Sequence, residues 1–350
     1  MGFNTKKIRV MIVDDSMLAR RIIQNGLSRY PNIEVVGEAF NAMDARKKLP
    51  ILNPDVMTLD VEMPGMNGID FVKEILPIHP IPIILVSSLN LRVFDAMAVG
   101  AVDFVRKPDG TEGNDRFIEA LANKIVVASC ARVRRSPLRP VASNNRIASL
   151  PLKMGVAPTD VIIGLGASTG GTEATLEVLR RLPANIPGMV IVQHMPPGFT
   201  QMYAERLDRI CQMKVKEAEN GDEIVRGQAL IAPGDKQMRV VRNGTRYTVS
   251  CMPGEKVSGH CPSVDALFLS MAQNVRCRMV GIIMTGMGSD GAKGLLEMRK
   301  KGAYTIGQDK DSCVVYGMPM VANNIGAVMQ QASCENIAGV LVRHLGGSHL

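Results

Sequence analysis

Two sets of side chains in this sequence have the types and spacing of reactive sites. Near the N-terminus, the acidic pair Asp14-Asp15, Asp60 and Lys107 each stand just past a short apolar run. Carboxylates packed together repel unless a cation neutralises them, and an all-oxygen set suits Mg²⁺. An aspartate so neutralised can attack a phosphoryl donor, and a nearby lysine can stabilise the acyl phosphate that forms. Ser87, after a further apolar run, supplies a hydroxyl placed to follow the new phosphoryl oxygens.

The second set begins at Val161-Ile162-Ile163-Gly164-Leu165-Gly166-Ala167-Ser168-Thr169-Gly170-Gly171, a strand-like run entering a glycine-rich turn. Gly166-Ala167-Ser168-Thr169-Gly170 fits G-x-S-x-G, in which flanking glycines permit a tight strand-to-helix turn that lifts the serine hydroxyl clear of the backbone. Backbone N–H groups at the turn, Thr169 and Gly170, are candidates for an oxyanion or substrate site. A dinucleotide turn is the competing reading of Gly164, Gly166 and Gly170. Their spacing is G-x-G-x-x-x-G, not the usual fingerprint, and the next apolar run ends in Gln193-His194 where a ribose-binding acid is expected.

A serine nucleophile needs a base. His79 lies in the N-terminal half, His344 and His349 belong to the tail, and His194 and His260 remain. His194 follows Val190-Ile191-Val192-Gln193 and is expected at a strand's carboxyl end beside Ser168. His260 precedes a helix, so it is read as shaping the site or its loop. Asp290, in Thr285-Gly286-Met287-Gly288-Ser289-Asp290-Gly291, is the expected orienting carboxylate, with Met287 beside it as a further oxyanion or substrate-site candidate. Capping of a helix starting at Gly291 is the other role open to Asp290.

The elements that must position these groups alternate. Strands are predicted at Ile8–Val13, Glu34–Gly37, Val56–Leu59, Ile83–Val86 and Asp103–Val105, with helices near 17–28, 42–49, 68–76, 91–99 and 116–131. Five such units imply a doubly wound, five-stranded parallel sheet with its sites along the carboxyl edge. The alternation restarts with strands at Val161–Leu165, Met189–Val192, Met279–Met284 and Tyr304–Ile306, and helices near 172–181, 199–210, 263–272 and 291–301. Gln237–Val241 and Tyr247–Cys251 flank Asn243-Gly244, a hairpin signal. The second half is therefore read as a mainly parallel α/β sheet with an antiparallel hairpin at one side.

Length and composition bound the reading. The 350 residues suffice for two domains with their own cores, and 46% apolar content excludes wholesale disorder. No apolar run approaches the roughly 18–20 residues that span a bilayer, and the N-terminal run is too short and too soon acidic for a signal peptide, so a cytoplasmic protein is expected. Seven cysteines without a C-x-x-C pair argue against disulfides and a zinc ribbon. The net charge is +8, but Lys124, Arg132, Arg134, Arg135, Arg139, Arg146 and Lys153 carry all but +1 of it. That basic stretch, with its Pro, Ser and Asn, is read as a linker over 132–157 between domains at 1–131 and 158–350. With no Trp and no basic-aromatic platform, nucleic acid is not the expected partner.

At this point a resemblance becomes specific. Residues 8 to about 130 resemble a response-regulator receiver domain through Val13-Asp14-Asp15-Ser16, Leu59-Asp60-Val61-Glu62-Met63-Pro64-Gly65-Met66-Asn67-Gly68, Val86-Ser87-Ser88, Phe104 and Lys107-Pro108. The likeness implies phosphorylation of Asp60, Mg²⁺ held by Asp14, Asp15 and Asp60, and support from Ser87, Lys107 and the aromatic switch position Phe104. Residues 158 to about 343 resemble the catalytic domain of chemotaxis protein-glutamate methylesterases. The likeness rests on the Ser168 turn, Gln193-His194-Met195-Pro196-Pro197-Gly198-Phe199, His260-Cys261-Pro262-Ser263-Val264-Asp265, the Asp290 loop, and Gln308-Asp309 through Gly317-Met318-Pro319. Cys261 departs from it, standing where a basic residue is expected.

The resemblance implies hydrolysis of γ-glutamyl methyl esters on methyl-accepting chemotaxis receptors, releasing methanol, and deamidation of receptor glutamines, by Ser168, His194 and Asp290. It implies a chemotaxis histidine kinase as phosphodonor, no cofactor in the catalytic half, a monomer, and membrane association only through the receptors. The domain order suggests that the unphosphorylated receiver covers the catalytic crevice. A phosphorylation-dependent adaptor without hydrolysis and a DNA-binding regulator are the alternatives. The adaptor has no need of an intact serine set, and the regulator requires a helix-turn-helix that the glycine-rich βα pattern after the linker does not offer.

Overall fold

A computed structural model describes residues 6–88, 92–108, 113–133 and 161–346. The chain divides into two compact units, Met1–Val141 and Ala142–Leu350. The predicted linker from residue 134 onward, and His349 of the tail, lie outside the described residues. No helix among the described residues is long and apolar enough to cross a membrane.

The first unit alternates β1 (Ile8–Val13), α1 (Met17–Leu27), β2 (Ile33–Ala39), α2 (Ala42–Leu52), β3 (Val56–Asp60), α3 (Gly68–Ile75), β4 (Ile83–Ser87), α4 (Arg92–Ala98), β5 (Asp103–Arg106) and α5 (Asn114–Ser129). Its sheet is parallel with strand order β2-β1-β3-β4-β5. Strands β3 and β4 are buried along their whole length, as apolar runs covered by helices on both faces must be. The order reverses between β1 and β3, and the crevice at such a switch point is where sheets of this kind hold ligands. Asp14 and Asp60 stand at that point.

The second unit carries β6 (Val161–Ala167), α6 (Gly171–Leu179), β7 (Met189–Gln193), α7 (Phe199–Ile210), β8 (Lys214–Glu217), β9 (Gln228–Ile231), β10 (Gln237–Asn243), β11 (Arg246–Met252) and α8 (Val264–Asn274). It ends with β12 (Arg278–Ile283), α9 (Ala292–Lys300), β13 (Tyr304–Gln308), α10 (Met318–Asn324), β14 (Gln330–Ala332) and α11 (Cys334–Leu345). Seven parallel strands form one sheet in the order β14-β13-β12-β6-β7-β9-β8.

The predicted antiparallel hairpin is present, but it is not hydrogen-bonded into this sheet. Strands β10 and β11 form a separate two-stranded sheet, with Thr248 of β11 also bridging Glu223, and the turn is Gly244-Thr245, because Asn243 already pairs with Arg246. The free edge of β10 is satisfied by α8: Val240 N–H donates to Ser270 Oγ at 2.8 Å and Asn274 Nδ2 donates to Val240 O at 2.8 Å. A helix thus does for this edge what a neighbouring strand would do.

Helix α8 also presses on β6. Val264, Leu267, Phe268 and Met271 are fully buried, each worth about 1.5–3 kcal/mol relative to exposure. A Cβ at Gly166 would lie 2.2 Å from a Val264 methyl, and one at Gly164 would lie 2.6 Å from Met271 Sδ. The G-x-G pair in β6 therefore serves close helix packing, and it brings the N-terminus of α8 to the carboxyl edge of the sheet.

Candidate functional sites

In the first unit the carboxylates of Asp14, Asp15 and Asp60 gather with one oxygen of each within 4.8 Å of the others. Asp14 and Asp60 are buried and Asp15 is exposed. Lys107 Nζ reaches Asp60 Oδ2 at 2.7 Å and Asp14 Oδ2 at 2.9 Å. The Ser16 N–H donates to Asp14 Oδ1 at 2.9 Å and the Glu62 N–H to Asp60 Oδ1 at 3.1 Å. Arg20, buried beneath the loop, donates from Nη1 to the carbonyls of Asp14 (2.8 Å) and Asp15 (3.2 Å), fixing the acidic pair through its backbone. Ser87 Oγ is buried with no hydrogen-bond partner among the described residues, and Phe104 is buried edge-on to Phe94, with ring centroids 6.1 Å apart.

Burial pushes the Asp60 carboxyl above its ordinary range and Asp14 adds to the effect, while Lys107 and the Glu62 N–H oppose it. Burial works against the Lys107 ammonium, but its bonds to Asp60 and Asp14 outweigh that and hold its pKa above the ordinary lysine value. Three carboxylates facing one ammonium leave two negative charges uncompensated. A hard divalent cation with oxygen ligands fits that charge and donor set.

In the second unit the three strands at the centre of the sheet end in the three predicted residues. Ser168 follows β6, His194 follows β7, and Asp290 stands in the loop after β12. His194 Nε2 lies 2.8 Å from Asp290 Oδ2. Asp290 is 2% exposed and accepts three further bonds: Ser263 Oγ at 2.8 Å, Val264 N–H at 2.8 Å and Asp265 N–H at 2.9 Å. It therefore docks on the first turn of α8, where unpaired N–H groups and the helix dipole favour an anion. The helix that Asp290 would cap in the alternative reading, α9, has Gly291 at its N-cap position. Burial would raise the Asp290 carboxyl, but the His194 bond, the Asp265 N–H and the Ser263 hydroxyl outweigh it and hold the group below the ordinary carboxylate range. With an ionised partner at Nε2, His194 keeps its proton there and carries its lone pair on Nδ1. Nδ1 is buried with no hydrogen-bond partner among the described residues.

The Ser168 turn is clamped on three sides. Its N–H donates to Thr285 O at 2.9 Å, and its carbonyl accepts Gly171 N–H at 2.7 Å and Gln193 Nε2 at 2.8 Å. Thr285 Oγ1 donates to Thr169 O at 2.9 Å and accepts the Val315 N–H at 3.0 Å. The Gly286-Met287 turn runs against Ser168, since a Cβ at Gly286 would lie 2.7 Å from Ser168 Cβ. Ser168 Oγ makes no hydrogen bond among the described residues, so the structure joins His194 to Asp290 and leaves the serine hydroxyl unpaired. The Ser168 and Gly171 N–H groups are spoken for, whereas those of Gly170 and Met287 meet no acceptor among the described residues.

Sequence reasoning passed over Ser263, Gln193 and Thr285. Ser263 carried a usable signal, a serine directly before a helical apolar run. The clamps from Gln193 and Thr285 depend on neighbouring strands meeting and had no local signature.

Comparison with known proteins agrees with these two units. A model of the response regulator receiver domain matches residues 10–117, and a model described as CheB methylesterase matches residues 163–341. The fold and sites define a receiver unit joined to an α/β hydrolase unit. The chain belongs to the CheB methylesterase family. It is 50% identical over 97% of its length, and 98% of the relative's, to a protein-glutamate methylesterase/protein-glutamine glutaminase of Syntrophomonas wolfei. It is 46% identical over 96% of its length, and 97% of the relative's, to one of Syntrophotalea carbinolica. The Thermotoga maritima CheB methylesterase catalytic domain superimposes with a TM-score of 0.51 at 34% identity, covering 52% of this chain and 97% of that one.

Proposed function

We propose that the chain is a phosphorylation-controlled protein-glutamate methylesterase and protein-glutamine glutaminase acting on methyl-accepting chemotaxis receptors in the cytoplasm. The observation that carries the catalytic reading is the His194–Asp290 pair at 2.8 Å, with the carboxylate anchored on the N-terminus of α8 and the other imidazole nitrogen unpartnered. Ser168 Oγ attacks the γ-carbonyl carbon of the glutamyl methyl ester and passes its proton to His194 Nδ1. The negative charge that develops on the carbonyl oxygen is met by the N–H groups of Gly170 and Met287. As the tetrahedral species collapses, Nδ1 returns the proton to the methoxy oxygen and methanol leaves. Water, deprotonated by the same nitrogen, then cleaves the acyl-enzyme and restores glutamate. For a glutamine side chain the same species expels ammonia. The catalytic residues are all side-chain and backbone groups, and the reading assigns this half no cofactor.

In the first unit, Asp14, Asp15 and Asp60 would hold Mg²⁺, which supplies charge neutralisation for phosphoryl transfer. Asp60 accepts the phosphoryl group from a chemotaxis histidine kinase, Lys107 pairs with the charge, and Ser87 and Phe104 carry the change of state. The enzyme works as a monomer and reaches the membrane through its receptors alone. Methanol release from methyl-labelled receptor membranes tests both halves. It should rise with a small-molecule phosphodonor and Mg²⁺, stay at the basal level in Asp60→Asn, and vanish in Ser168→Ala. Release that persists in Ser168→Ala would refute the esterase mechanism, and a donor response in Asp60→Asn would refute the switch.

A further inference from the structure

The loop before α8 brings a second imidazole into the catalytic unit. The His260 ring lies on the His194 ring, with centroids 3.8 Å apart and planes inclined by 13°. We propose that His260 is a positioning residue for the ester hydrolysis, its ring fixing the plane of His194 and stabilising the imidazolium formed when Ser168 gives up its proton. The proposal rests on the assignment of Ser168 and His194 above.

The bond between His194 Nε2 and Asp290 Oδ2 fixes a point on the imidazole edge but not the orientation of the ring plane. The ring is still able to swing about that contact, and the lone pair on Nδ1, which lies in the plane, would swing with it. A flat neighbour in face contact removes this freedom. Proton transfer depends steeply on such alignment, so a ring held in one plane keeps Nδ1 directed for reaction through the catalytic cycle. The stack has an electrostatic consequence as well. When Nδ1 takes the serine proton, the new positive charge spreads over the His194 ring, and the face of the aromatic neighbour stacked on it stabilises that charge.

His260 is held in place by the network that anchors Asp290. Val257 and His260 exchange backbone hydrogen bonds at 3.0 and 2.9 Å across a two-residue turn. Gln237 Nε2 donates to His260 O at 2.9 Å, while Gln237 Oε1 accepts the Ser263 N–H at 2.9 Å. Ser263 in turn bonds Asp290, and Ser258 Oγ from the turn donates to Asp265 Oδ2 at 2.7 Å. The buried Gln237 thus registers the stacking ring against the residue that bonds the carboxylate. A loop with no part in the chemistry would have no need of that double registration.

The test compares full-length His260→Ala and His260→Phe with Ser168→Ala and His194→Ala. Two rates are read: methanol release from methyl-labelled receptor membranes, and covalent labelling of Ser168 by a small fluorophosphonate that makes no receptor contacts. His260→Ala should lower kcat and the labelling rate together by roughly three- to tenfold, leaving KM and the thermal unfolding midpoint in place. His260→Phe, which keeps a flat ring without a titrating nitrogen, should recover most of both rates. Unchanged rates in His260→Ala would overturn the proposal, as would failure of His260→Phe to recover them. A loss as complete as that of His194→Ala would also overturn it, since His260 would then carry a proton itself. Labelling or release that persists in Ser168→Ala would instead strike the nucleophile assignment, a result distinct from any behaviour of His260.

Discussion

The hydroxyl of Ser263 donates to Asp290 Oδ1 at 2.8 Å and at the same time accepts the Ala266 N–H at 3.2 Å as the N-cap of α8. One side chain therefore joins the start of a helix to the carboxylate that orients the proposed base. Ser263→Ala should cost about 1 kcal/mol or more of stability through the lost cap, and it should slow methanol release by removing one of the two hydrogen bonds that hold Asp290 Oδ1. Denaturant unfolding and the release assay, run on the same preparation, check both effects.

Asp290→Asn keeps the shape of the site but removes the charge that holds the His194 proton on Nε2. The expected loss is about 10³- to 10⁴-fold in kcat, as for the equivalent change in other Ser-His-Asp enzymes. Stability should respond to pH with a definite sign. Because the folded carboxyl is held below its ordinary value of 3.8, its contribution is full above that value and is lost as pH falls through the lower folded one. Acid unfolding curves of Asp290→Asn should lack this component, which a pH titration of the unfolding midpoint measures.

Lys107→Ala leaves Asp14 and Asp60 without their shared ammonium. The cost at neutral pH should reach about 3 kcal/mol at most, discounted because the lysine side chain retains 25% of its exposure. The Asp60 carboxyl is already raised by burial, and the substitution removes the lysine that opposes this. A raised carboxyl favours the folded state below the unfolded value, and that advantage disappears as pH rises through the folded one. The variant should therefore gain stability on acidification from neutral pH toward the ordinary carboxylate value of 3.8, and at neutral pH it should be rescued by Mg²⁺. Thermal melts with and without Mg²⁺ decide the matter.

Gly171→Ala places a methyl group 2.2 Å from Gln193 Oε1 and 2.7 Å from Ala167 Cβ. Gln193 must then move, releasing the Ser168 carbonyl that its Nε2 holds. Overpacking of this kind should cost about 1–3 kcal/mol, and labelling of Ser168 by a fluorophosphonate should slow. A labelling rate equal to that of the unaltered chain would show that the Gln193 clamp is dispensable.

Much of this architecture is legible in the sequence, because both units string their reactive residues onto strand ends. Asp14, Asp60, Ser168 and His194 each follow an apolar run, and the run itself announces the strand. Asp290 was found the same way, but its anchor was not. The N–H groups that hold it belong to Val264 and Asp265, in a helix read only for its own periodicity. Short strands escaped for a different reason. Lys214–Glu217 has three charged residues out of four and Gln330–Ala332 is three residues long, so neither offers a run, and both sit at the sheet margins. The helix Cys334–Leu345 is missing from the predicted elements, although Ile337, Ala338 and Leu341 are buried at amphipathic spacing. The hairpin was recognised by its turn, but nothing local shows that α8 takes the place of a neighbouring strand.

The sheet order that brings β12, β6 and β7 side by side also sets when activity can begin. His194 and Asp290 are 96 residues apart in the chain, and the Asp290 loop is tied down by Gly286, which bonds Val315, Gly317 and Met318. On the ribosome Ser168 and His194 therefore emerge long before Asp290 and the segment that ties its loop down. A growing chain, or one truncated anywhere before residue 318, carries Ser168 without its support. On the proposed assignment, a chain that stops before residue 318 should release no methanol.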